Sequence, residues 1–360
     1  MKKAILVLVC CAMFIASSSC NKGDNIDNID EMVTKSGDMA KENIETEAYL
    51  QESKGLEFVS NGDGTCYVSS LGNCADKDIV FPTKSPYGDI VTSIANHAFY
   101  ASNEIQSIIV SNSITRIGAY AFSECSNLSN VILSDSVVIL GQSAFSDCEK
   151  LESITMSRNI VDIEDYTFYG CKHLKSITLY RSIYSIGYKA FYKCSNLENI
   201  IIPNSVGVIE GYAFAGCKKI TSMIIPNSVT YIGSGVFADC VNLAQISVEN
   251  QNPCYFSKNN CIISENEIVA TCNNFTIPND TGITTIGEYA ICQVNVTEIS
   301  IPKSVTKIDF FAITGVATLK HIFYEGTIGD WECIIKDKHW FVNSFECSIH
   351  CIDGIISTAS

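Results

Sequence analysis

The chain has 360 residues, 47% of them hydrophobic and 18% charged, which suits one or two domains with a sizeable core and excludes a disordered linker. Lys and Arg total 24 against 39 Asp and Glu, and the resulting net charge of −15 repels phosphate backbones and anionic headgroups, arguing against a nucleic-acid partner. Eighteen cysteines are many for a cytosolic enzyme and few for a small disulfide scaffold, so their placement must decide their role.

Lys2 and Lys3 precede an apolar run from Ala4 to Ile15 and a small-residue end at Ala16, Ser17, Ser18 and Ser19, the build of an export signal over residues 1–19. The run is too short for a spanning helix with normal flanks. The Ser-Ser-Ser-Cys ending resembles a bacterial lipobox, with Ser17 standing where that pattern prefers Leu. That resemblance implies acylation of Cys20 and membrane attachment through an N-terminal lipid, on the outer membrane or cell surface of a Gram-negative bacterium. Plain secretion is the alternative. Residues 20–55 are acidic, with Asp24, Asp27, Asp30, Glu31, Asp38, Glu42, Glu45, Glu47 and Glu52 and no sustained apolar stripe, and read as a tether.

A strict period follows. Phe99, Phe122, Phe145, Phe168, Phe191, Phe214 and Phe237 are each 23 residues apart. Cys125, Cys148, Cys171, Cys194, Cys217 and Cys240 trail them by three, and Leu128, Leu151, Leu174, Leu197, Ile220 and Leu243 by six. Ala190, Phe191, Cys194 and Leu197 have the spacing of one face of a helical turn, and Leu197, Ile200 and Ile202 then switch to the alternation of a strand. Pro203-Asn204 ends the strand, and Gly118, Gly141, Gly187 and Gly233 mark a tight corner. A lone 23-residue coil buries too few side chains to offset the entropy of ordering it, so coils must stack. The expected fold is a repeat solenoid of leucine-rich-repeat type, with parallel β-strands, short helical turns and 23-residue coils.

The unit Ile-Gly-x-x-Ala-Phe-x-x-Cys-x-x-Leu-x-x-Ile-x-Ile-Pro-x-Ser-Val resembles the BspA-like leucine-rich repeats of bacterial surface proteins, from about Leu56 to Ile352. It implies cell-surface association and attachment to host or bacterial surface proteins or glycans. Asn61-Gly62-Asp63-Gly64 is a tight-turn signal for an opening hairpin, so residues 56–90 form an N-terminal cap. Regular repeats fill 91–248. The Pro spacing then stretches to 52 residues between Pro226 and Pro278, placing an enlarged irregular coil at 249–282. Further repeats follow over 283–326, slimmer in the core where Ala290-Ile291 and Ala312-Ile313 replace Ala-Phe, and 327–360 closes the stack.

Candidate chemistry is sparse. One thiol per coil, in parallel strands about 4.8 Å apart, is poorly spaced for disulfides and suits buried packing. Disulfides fit better at irregular positions, Cys66 with Cys74, or Cys254 with Cys261 or Cys272. His97, His173, His321, His339 and His350 belong to no catalytic motif, and Cys347, His350 and Cys351 lack a fourth zinc ligand at a usual spacing. No enzyme, metal or cofactor is expected. Binding is the expected role, on two outward rows of the main strand. One is Ser107, Asn130, Ser153, Ser176, Asn199, Ser222 and Gln245; the other is Ile109, Ile132, Thr155, Thr178, Ile201, Ile224 and Ser247. Small, uncharged and flat, they suit an extended protein or glycan surface. Tyr120, Tyr166, Tyr188 and Tyr212, with Tyr100, Tyr169 and Tyr192, add aromatic area near the corner or pack coil on coil. The alternative function is a structural surface or periplasmic scaffold without a dedicated ligand.

Overall fold

Strands recur once per coil and pair with the equivalent strand of the next, as the 23-residue period requires. The computed structural model describes residues 51–342 and 346–358, so the export signal, Cys20 and most of the tether lie outside the described residues. Asp78–Val80, Ser107–Ile109, Asn130–Ile132 and Ser153–Thr155 form one parallel sheet in register, Ser107 opposite Asn130 and Asn130 opposite Ser153. On a second side, Asp162–Ile163, Ser185–Ile186, Val208–Ile209 and Tyr231–Ile232 pair in the same way. The described residues form a leucine-rich-repeat solenoid of stacked parallel coils.

Both ends are closed by antiparallel hairpins. Glu57–Ser60 and Thr65–Ser70 fold around the Asn61-Gly62-Asp63-Gly64 turn, and Ser348–Cys351 pairs with Gly354–Ser357 at the other end. The phase break is a meander: Phe256–Lys258, Cys261–Ser264 and Glu267–Thr271 pair antiparallel. Glu267–Thr271 then rejoins the stack in parallel with Thr285–Ile286. An inserted hairpin thus leaves the solenoid direction intact.

The Ala-Phe segment differs from the sequence expectation, since it coils through hydrogen-bonded turns and not a helix. The only α-helix among the described residues is Ile328–Glu332, started by a capping box between Thr327 and Asp330. The residues two before and two after the Phe take positive φ, as at Tyr120 (57°) and Glu124 (61°) around Phe122. Such a conformation costs a non-glycine residue on the order of 1 kcal/mol. It aims main-chain N–H groups along the solenoid axis, where Tyr120 donates to Gln142 O at 2.9 Å, Phe122 to Ala144 O at 2.9 Å and Glu124 to Ser146 O at 2.7 Å. A third ladder, made by the turns, therefore links the coils.

The core is a pile of rings. Phe99 through Phe237 stack nearly parallel with centroids 5.1–6.0 Å apart, and Phe81 lies edge-on against Phe99 at 5.5 Å and 80°, ending the pile. Ile291 and Ile313 fill the equivalent slot further on, both buried. Each column cysteine is buried and donates its thiol to the carbonyl of the Phe one coil earlier: Cys125 to Phe99 at 3.0 Å, Cys171 to Phe145 at 3.1 Å and Cys217 to Phe191 at 3.2 Å. The position therefore suits a small apolar side chain that adds a second donor to a buried carbonyl already bonded to a main-chain N–H, as Phe145 O is to Cys148 N. Disulfides do not form at the irregular positions: Cys66, Cys74, Cys254, Cys261 and Cys272 are free thiols. Cys66 instead reaches the Asp89 carbonyl.

At the corner, a Cβ on Gly118 would lie 2.5 Å from the main-chain nitrogen of Asn96 and 2.6 Å from the Ala95 carbonyl carbon. Gly118→Ala is expected to force adjacent coils apart at a cost of about 1–3 kcal/mol. A urea titration of both proteins checks this, and an unchanged midpoint would show that the corner yields freely.

Candidate binding surface

The solvent-facing rows of the first sheet divide into a closed part and an open part. Ser107, Ile132 and Thr155 are buried, at 3%, 8% and 5% exposure, which corrects their assignment to the binding face. Ser107 turns its hydroxyl onto Asp78 Oδ1 at 2.6 Å. Ile132 and Thr155 sit within the unbroken four-strand ladder, in register with Ile109 and with each other. Next to them Ser153 donates to Asn130 Oδ1 at 2.9 Å, and both are half-buried.

The open part begins where the ladder thins to the single bridge between Ser176 and Asn199. Ser176, Asn199, Ser222 and Gln245 are exposed in one row. In the other, Thr178 and Ser247 are half-buried, whereas Ile201 and Ile224 stand out at 49% and 52%. Ser222–Ile225 and Gln245–Val248 hold the last two coils in register. The result is two adjacent isoleucines with neutral polar groups beside them, a flat surface that can exchange water for an apolar or carbohydrate face.

Of the tyrosines near the corner, Tyr100 is exposed and donates to the Glu124 carboxylate, whereas the others are half-buried and do not form a second open face. Tyr166, Tyr188, Tyr212 and Tyr289 meet edge to face in sequence at 5.3–6.0 Å, and Tyr169 stacks on Tyr192 at 5.2 Å. Lys189 Nζ lies 5.0 Å from the Tyr188 ring, 5.3 Å from Tyr192, 5.6 Å from Tyr212 and 6.0 Å from Tyr166. A cation enclosed by four rings ties successive coils together. These side chains are half-buried, so coil-on-coil packing is the structural role they fill.

Two features escaped the sequence reading. On the opposite sheet, Val138, Ile139, Val161 and Tyr184 are exposed on three successive coils. Their signal was the pair Val138-Ile139, two apolar residues in succession where a half-buried strand should alternate. Beside the inserted hairpin, a cleft of about 440 Å³ is lined by Glu267, Glu288, Asp309 and Asp337 with Tyr255 and Phe310. Burial, with Asp309 nearby, raises the Glu267 carboxyl above its ordinary range, while Lys307 opposes the shift. Ser234 Oγ donates to Glu288 there, and Lys307 pairs with Asp309 at 2.8 Å. Sequence periodicity is silent on this cleft because it lies where the period fails.

Of the histidines, His97 stacks on Tyr120 at 4.9 Å, His173 is exposed, and His321 Nδ1 shares a hydrogen bond with His350 Nε2 at 3.1 Å. Among the described residues no three His, Cys, Asp or Glu side chains are grouped as metal ligands. No helix among the described residues is long and apolar enough to cross a membrane.

A profile of the BspA type leucine rich repeat region matches in six copies over residues 92–218, 139–262 and 266–332, more than half of the chain. The chain belongs to the BspA-type leucine-rich repeat family. This BspA-type chain is similar to a leucine rich cell surface protein of Faecalibacterium prausnitzii, at 20% identity and a TM-score of 0.64, covering 81% of this chain and 99% of that one. That likeness shows the fold. A leucine-rich repeat protein of T. pallidum is 27% identical over 54% of this chain and 81% of its own, with a TM-score of 0.41. One from Eubacterium ventriosum is 22% identical over 76% and 71%, with a TM-score of 0.44. No curated protein matches the chain.

Proposed function

We propose that the protein is an exported, surface-tethered binding protein that engages protein or glycan partners through the open part of its first sheet. The observation that carries this reading is the pair of exposed isoleucines, Ile201 and Ile224, flanked by Ser176, Asn199, Ser222 and Gln245 on neighbouring coils. Exposed β-branched side chains beside neutral polar ones provide a desolvatable centre with a hydrogen-bonding margin, the anatomy of a recognition patch. The patch spreads over neighbouring coils from Ser176 to Gln245, a span that favours an extended ligand over a small molecule. Attachment through lipid on Cys20 belongs to the same proposal, and its support is the Ser-Ser-Ser-Cys end of the export signal. Adhesion to host or bacterial surfaces follows if the lipid holds the solenoid outside the cell.

The test is a binding screen of the mature protein against immobilised matrix proteins and glycans. For any ligand found, the Ile201→Arg/Ile224→Arg double variant is expected to lose at least about tenfold in affinity, because a charge replaces the apolar centre. An Ile139→Arg variant on the opposite sheet should bind as wild type. Silence across a broad panel, or equal loss in both variants, would remove the proposal and leave the scaffold role. Protease added to intact cells tests exposure, and Cys20→Ser should abolish incorporation of labelled fatty acid.

A further inference from the structure

On the sheet opposite the binding face, one outward file runs Ser93, Arg116, Ile139 in register, and continues a coil on with Asp162 paired to Ser185. The file beside it is Thr92, Thr115, Val138, Val161 and Tyr184, each 23 residues apart. Val138, Ile139, Val161 and Tyr184 are 42–56% exposed, and Arg116 is exposed with them. The next residue of the second file is Gly207, where a Cβ would lie 3.0 Å from Tyr184 Cε2, so the Tyr184 ring lies across that coil and lengthens the apolar strip. Contiguous apolar exposure of this kind marks a surface that meets another surface.

Arg116 and Asp162 are the only charged residues among the ten in the two files. One stands a coil before Ile139 and the other a coil after, about 10 Å apart, too far to pair with each other. The ion pairs among the described residues all lie elsewhere. Asp162 Oδ1 accepts the Ser185 hydroxyl at 2.6 Å, a neutral contact that leaves the carboxylate charge unanswered by any cation. The face therefore carries a positive and a negative group at equal distances from an exposed isoleucine.

We propose that this face joins a second copy of the chain, with the two solenoids running in opposite directions about a two-fold axis along the Ile139 strand. That axis reverses the order of coils, so Arg116 of each copy faces Asp162 of the other, while Val138 and Ile139 meet their own counterparts. An axis along the stack would instead set arginine against arginine and aspartate against aspartate. Charge complementarity thus selects both the occupant and its direction. Tyr184 of one copy falls opposite Thr92 of the other. Five coils at about 4.8 Å, two files wide, bury a few hundred Å² on each copy, well below the roughly 800 Å² of a standard interface, so the dimer is weak and reversible. The pairing leaves Ile201 and Ile224 open on both copies and does not rest on the binding reading.

Sedimentation velocity of the full exported chain carrying Cys20→Ser, from about 1 to about 200 µM, tests the pairing. The wild-type surface is expected to show concentration-dependent dimer. Arg116→Asp and Asp162→Arg should each weaken association at least about tenfold, because each sets like charges face to face. Each substitution places a residue type that the same file already holds two coils away, so the coil accommodates it. An equimolar mixture of the two single variants should recover the wild-type association, as should the double exchange within one chain, since both restore every opposite-charge contact. A protein that stays monomeric to about 200 µM would overturn the dimer and leave the face to a partner of other chemistry. Dimers indifferent to either single change, or variants that stay apart when mixed, would overturn it as well.

Discussion

Phe168→Ala is expected to cost about 3–5 kcal/mol in unfolding free energy. Its ring is fully buried and stacked at 5.9 Å on Phe145 and 5.4 Å on Phe191, with interplanar angles of 3° and 14°. Two rings therefore lose a face each when it is removed, and the hole cannot close readily. The backbone on either side is pinned, since Phe168 N donates to Ala190 O at 2.8 Å and Phe145 N to Thr167 O at 3.0 Å. Thr178→Ala, on the half-buried outward row, is expected to change stability by less than about 0.5 kcal/mol. A denaturant titration of the two variants side by side is the check. Equal costs would mean that the inner and outer faces of the coil have been exchanged.

That contrast follows from spacing alone, and it shows which parts of the molecule a sequence can disclose. The Phe file fixes the number of residues per coil, and the period then dictates that Ser107 faces Asn130 and Asn130 faces Ser153. Asn61-Gly62-Asp63-Gly64 betrays the opening hairpin because few other structures use that turn chemistry. The turn after the corner is a harder case. A spacing of three between Phe191 and Cys194 fits a helix and also fits two successive turns. Only the positive φ at Lys189 and Lys193 separates them, and neither residue type announces it.

The candidate surface was legible as a row but not as an area. Whether Ile132 is covered and Ile201 open depends on pairing between coils, which a single repeat does not encode. The carbonyl partner of each thiol was equally hidden, because the bond joins residues 26 apart, one period plus three. The acidic cleft around Glu267 arises only where the inserted hairpin meets later coils, so no repeat carries its signature.

The thiol file leads to the second large effect, a steep loss of stability in mild alkali. Burial pushes the Cys125 and Cys240 thiols up to about 12, and it drives Cys148, Cys171, Cys194 and Cys217 upward as well. In the unfolded chain a thiol titrates near about 8.5. Below that pH both states hold the proton and the contribution of the file is intact. Between about 8.5 and 12 the unfolded state sheds protons that the folded state keeps, so stability falls with rising pH by about 1.4 kcal/mol per unit for each thiol. Six thiols acting together lose several kcal/mol per unit, comparable with the whole margin of a typical domain, about 5–15 kcal/mol. Unfolding midpoints measured with reductant at half-unit steps from pH 8 to 10.5 should therefore drop sharply above about pH 9. Lysine and tyrosine titration adds to the fall, so the discriminating measurement is the slope in Cys171→Ala. That variant starts less stable, because the Phe145 carbonyl keeps the Cys148 N–H but loses the thiol as a second donor, yet its stability should decline by about 1.4 kcal/mol per unit less than wild type. Identical slopes would show that the file does not hold its protons, and that the cysteines are placed for some reason other than a dry, protonated contact with the rings.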